Sequence, residues 1–121
     1  MSRIIRAAAC MLPLVVGGCA ASVSGIRERE PTLIADSTQG AKVVTDCVSD
    51  AWQARGSSPR SIPRSNGSSI TVEQPGIFYN LPVMVLDADT TPTGSHVTFH
   101  LFKTISGRSN RARVEEVKAC L

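Results

Sequence analysis

Two periods divide this chain. Residues 38–56, "TQGAKVVTDCVSDAWQARG", carry Ala41, Val44, Val48, Ala51 and Trp52 at i, i+3, i+7, i+10 and i+11, the stripe of an amphipathic helix. Ser37 or Thr38 can cap its start, and Gly56 stands where a left-handed residue closes a helix. Beyond it the period shifts to two. "SITVEQ" (69–74), "IFYNLPVMVLDAD" (77–89) and "GSHVTFHLFKT" (94–104) read as three strands, with Pro82 at a strand start, an edge or a bulge. Placing Pro92 and Thr93 at the centre of the turn between the last two puts Ala88 opposite Val97, Leu86 opposite Phe99 and Met84 opposite Leu101 on one face. The other face then holds Asp89 opposite His96, Asp87 opposite Thr98 and Val85 opposite His100. A slip by one residue would mix the two faces, so the pattern selects this register.

"SGRSNRARVEEVKACL" (106–121) returns to a helical pattern, with Val114, Val117 and Leu121 on one side, Cys120 nearby and Ser106 or Ser109 as cap. "SSPRSIPRSNGSS" (57–69) holds two prolines among small polar residues and reads as a loop. The expected fold is α+β: a small antiparallel three-stranded sheet with an N-terminal and a C-terminal helix on one face, ordered α-β-β-β-α.

The first twenty residues follow neither period. Arg3 and Arg6 precede about ten apolar residues, Ala7 to Val16, which is too short for a span of about 20. A positive start, a short apolar run and small residues before a cut make up a secretory signal. Val16-Gly17-Gly18-Cys19 then resembles the lipobox of bacterial lipoproteins, an aliphatic residue and two small ones before cysteine. That resemblance implies a diacylglyceryl group on Cys19, cleavage before it and acylation of the new amine, two or more chains together anchoring stably. It also implies the outer membrane, because Ala20 rather than Asp follows the cysteine. The division expected is a signal peptide at 1–18, a flexible tether at 19–37 and a small periplasmic domain at 38–121, with an ordered strand around "TLIA" as the alternative within the tether. The domain resembles small proteobacterial lipoproteins of uncharacterised function, through Cys47, Trp52 and Cys120.

Maturation changes the counts. Removing residues 1–18 takes away Arg3 and Arg6, so Lys plus Arg falls from 13 to 11 against an unchanged 10 Asp plus Glu. A nearly neutral chain lacks the basic footprint of a nucleic-acid binder. Of four cysteines, Cys10 leaves with the signal and Cys19 takes lipid. Cys47 and Cys120 remain as a pair in an oxidising compartment, a disulfide or else two buried thiols.

Candidate chemistry is sparse. Asp89 beside His96 is the raw material of a general base, although Ser95 points to the other face and an exposed ion pair is the plainer reading. His96 and His100 share a strand face about 13 Å apart, too far for one metal ion without strong inward lean. Arg60, Arg64, Arg108, Arg111 and Arg113 would make a patch for an anionic envelope ligand, if the loop lay beside the last helix. The leading expectation is a non-enzymatic envelope lipoprotein with no cofactor, held by its lipid and binding an envelope protein. The anionic-ligand module stands second and a small hydrolase third.

Overall fold

The structure, a computed structural model, describes residues 22–75, 80–102 and 107–121. The signal segment, the lipobox with Cys19, the first part of the "IFYN" run and Ser106 lie outside the described residues.

A short helix α1 (Val23–Arg27) comes first, followed by strand β1 (Leu33–Ser37) and helix α2 (Ala41–Ala54). Strands β2 (Arg60–Arg64), β3 (Gly67–Pro75), β4 (Asn80–Thr91) and β5 (Gly94–Leu101) then lead to helix α3 (Gly107–Lys118). The strands form one antiparallel sheet in the order β1-β5-β4-β3-β2.

This corrects the expected three-stranded sheet. The two added strands are its edges, and each lies in a stretch with weak alternation. Strand β2 comes from the segment read as a loop; it is exposed throughout and carries Pro63, which a strand paired on one side accommodates. Its hairpin to β3 turns at Ser65-Asn66, and Gly67 follows at φ 154°, where an added Cβ would strike the Ala88 carbonyl. Strand β1 comes from the stretch read as a tether and pairs Leu33 with Phe99 through Ser37 with Ser95. The order is α-β-α-β-β-β-β-α, with α1 as a third helix.

The β4–β5 register is the one the alternation predicts, from Met84 opposite Leu101 to Asp89 opposite His96. One sheet face is therefore apolar, and α2 and α3 cover it. Val44, Val48 and Trp52 of α2 and Val117 of α3 pack with Ile70, Leu86, Val97 and Phe99. Helix α2 closes as expected, with Gly56 at φ 87° just past its Arg55 cap, but Gly40 caps its start without a side-chain bond. Pro82 sits beside an irregularity in which the β3–β4 pairing shifts between Val72 and Glu73. Cys47 and Cys120 are joined, Cα to Cα 5.8 Å, and the bridge holds α2 to the chain just past α3. Arg55 adds an ion pair to Glu116, which also pairs with Arg113 at 3.0 Å.

Candidate functional site

The second face of the sheet is polar, and its residues follow from the register. Reading across the strands, one row holds Arg64, Gly67, Asp89, His96 and Asp36. The next holds Ile62, Ser69, Asp87, Thr98 and Ile34, and a third includes Arg60, Thr71, Val85 and His100. Helix α1 lies on this face against β4 and β5.

Three attachments hold α1 there. Ile26 is fully buried, which contributes about 1.5–3 kcal/mol relative to an exposed side chain. The Arg27 guanidinium donates from Nε to Asp87 Oδ2 at 2.9 Å and from a terminal nitrogen to Oδ1 at 2.8 Å. Such a fork-to-carboxylate pair fixes direction as well as distance. Just past the helix, His100 Nε2 meets the Arg29 carbonyl at 3.1 Å, which makes that nitrogen the donor. The Arg29 guanidinium stacks over Phe102 at 4.8 Å from the ring centre.

Asp87 is the centre of the arrangement, only 6% exposed. Ser69 Oγ donates to it at 2.5 Å, and Arg64 approaches Oδ1 at 3.4 Å while meeting Asp89 at 3.0 Å. Burial opposes the charged carboxylate. The hydrogen bonds from Arg27 and Ser69, with the charges of Arg27 and Arg64, outweigh burial and hold Asp87 below its ordinary value. A carboxylate depressed in the folded state stabilises the fold above the unfolded value of about 3.9 and loses that contribution as pH falls through the folded value. Asp87→Asn is therefore expected to cost about 2 kcal/mol near neutral pH, since both arginines can partly rehydrate. The deficit should begin to shrink as pH falls below about 4, where Asp87 of the unfolded chain binds a proton while the folded carboxylate stays charged, and should vanish below the folded value. Urea unfolding of both forms at pH 7 and pH 3 measures it; an equal deficit at both would show that charge is not the cause.

The residues predicted as functional are distributed differently. Asp89 and His96 face each other in register, but Asp89 is engaged by Arg64, and His96 Nδ1 lies 2.7 Å from Asp36 Oδ1 on strand β1, the alternative to a tether there. Ser95 is buried on the opposite face and donates to the Gln39 carbonyl at 2.8 Å. His100 is buried under the α1 connection, whereas His96 is partly exposed further along β5. Among the described residues, no three His, Cys, Asp or Glu side chains cluster as a metal site.

The five arginines come from two elements. Arg60 and Arg64 belong to the polar face of β2, where Arg64 meets Asp87 and Asp89, while Arg108, Arg111 and Arg113 lie on α3. Arg113 is spent on Glu116. Sequence reasoning missed Arg27 and Asp36, whose partners come from 60 residues away. Alternating charge in "REREP" was the only local signal, and it names no partner.

An open groove of about 570 Å³ runs between the α1–β1 connection and α3, lined by Arg29, Glu30, Pro31, Thr32, Leu101 and Asn110. Among the described residues, no helix is long and apolar enough to cross a membrane. No family model, curated protein or solved structure matches this chain.

Proposed function

We propose that the chain is an envelope lipoprotein, anchored in the outer membrane through lipid on Cys19, and that its domain is a non-enzymatic accessory module that binds an envelope protein. The observation that carries this reading is the clasp of α1. The helix begins four residues after Cys19 and is tied to the sheet by buried Ile26 and by Arg27 on Asp87. An element placed directly after a lipidation point and locked to the domain transmits the anchor to the whole fold. Engagement of Asp89 by Arg64 and of His96 by Asp36 favours a structural use of those groups over hydrolysis. The one-patch arginine module loses support, because Arg64 is engaged by Asp87 and Asp89 and Arg113 by Glu116.

Labelled palmitate supplied to cells should enter the wild-type protein and not Cys19→Ala, and the mature chain should begin at Cys19. Equal labelling of both forms, or of neither, would remove the lipoprotein reading.

A further inference from the structure

We infer that the α1-bearing face of the sheet lies against the bilayer that holds the Cys19 lipid, with Ile34 and Ile62 at the headgroup level. The inference rests on the lipid-anchor reading above and adds an orientation to it.

Chain length supplies the first argument. Only Ala20 and Ala21 separate Cys19 from Ser22, the α1 cap, whose Oγ accepts from Gly25 N at 3.0 Å. Three residue steps reach at most about 10 Å. The clasp of Ile26, Arg27 and the Arg29 carbonyl holds α1 on the polar face, so no slack is gained downstream of Ser22. A lipid embedded at Cys19 thus brings Ser22 and the start of α1 within about 10 Å of its glyceryl group, a gap at that point thinner than a folded partner, for which even one helix needs about 10 Å.

Surface chemistry supplies the second. Ile34 is 59% exposed and Ile62 40% exposed, both large apolar side chains on this face. They stand on the two edge strands, four strand spacings or roughly 19 Å apart. Two apolar contacts at opposite margins suit a flat, extended surface. Arg60 flanks Ile62 on the same side of β2, where its guanidinium can meet a lipid phosphate while its stem lies along apolar surface. The opposite face is covered by α2 and α3 and is directed away from the membrane, available to an envelope protein.

The test uses the lipidated protein purified from envelopes, weighed intact, and placed in nanodiscs carrying a gadolinium headgroup lipid. Amide signals of Ile34, Ile62 and Arg60 are expected to broaden on the order of tenfold more than that of Val43, which lies on exposed α2, farther from the bilayer by roughly a helix diameter. Even broadening on both faces, or stronger broadening at Val43, would overturn the orientation while leaving the anchor intact. A protein whose mass shows no acyl chains on Cys19 would overturn both.

Discussion

Reduction of the Cys47–Cys120 bridge is expected to lower the unfolding free energy by about 4 kcal/mol, because a cross-link restricts the entropy of the unfolded chain. The two cysteines are 73 residues apart, so the bridge closes a loop containing the second half of α2, the β2–β5 meander and all of α3. A loop of that length loses much entropy when its ends are tied, and the folded chain loses none of its contacts when they are released. For a domain of this size a loss of about 4 kcal/mol corresponds to a midpoint fall of roughly 20 °C. Thermal unfolding of the native and reduced forms, with Cys47→Ser as a second route to the open form, measures the effect. A fall below about 5 °C would mean that the ends already lie together in the unfolded state, or that Arg55–Glu116 and the packing of Val117 hold α3 without help.

Trp52→Ala should cost a similar amount, about 3–5 kcal/mol. Trp52 is fully buried on α2, with its ring centre 5.6 Å from that of Phe99 on β5. It is the largest side chain joining the helix layer to the middle of the sheet, and the cavity left by its removal borders strands held on both sides. Such walls collapse little, which puts the cost at the upper part of the range. Trp52→Phe is the informative companion. The indole Nε1 is buried with no hydrogen-bond partner among the described residues, so deleting that donor recovers part of the desolvation cost and offsets the lost volume. Denaturant unfolding should show Trp52→Phe within about 1–2 kcal/mol of the wild type. A loss for Phe equal to that for Ala would show that the indole N–H has a partner of consequence.

These two positions also mark how far local pattern reaches. Trp52 announces itself in the helical stripe, and the β4–β5 register follows from alternation, because a half-buried strand must segregate its two faces. Edge strands carry a weaker signature. Strand β1 pairs on one side with β5 and has polar Asp36 and apolar Ile34 on the same face, so composition does not separate inside from outside. Strand β2 has no buried residue at all, and its pairing is announced only by Asn66-Gly67 at the turn. Short-range period reports burial, and elements that bury little escape it.

The candidate site was less legible still, for the same kind of reason. Asp87 was visible as a polar-face residue opposite Thr98, but nothing near it in the chain identifies Arg27, Ser69 and Arg64 as its partners. Asp89 and His96 were correctly set opposite each other, and each then found a nearer partner on a strand that alternation did not disclose.

Charge, period and residue count were enough for the signal-like start with its lipobox resemblance, the two core helices, the central hairpin register and the candidate pair of late cysteines. None of these needs knowledge of distant neighbours. Three outcomes waited for the assembled fold: the segment after Ser22 belongs to the domain, two edge strands complete the sheet, and Arg64 is taken up by carboxylates. They depend on ion pairs and edge pairings between residues tens of positions apart, whose energy appears only when the chain has brought them together.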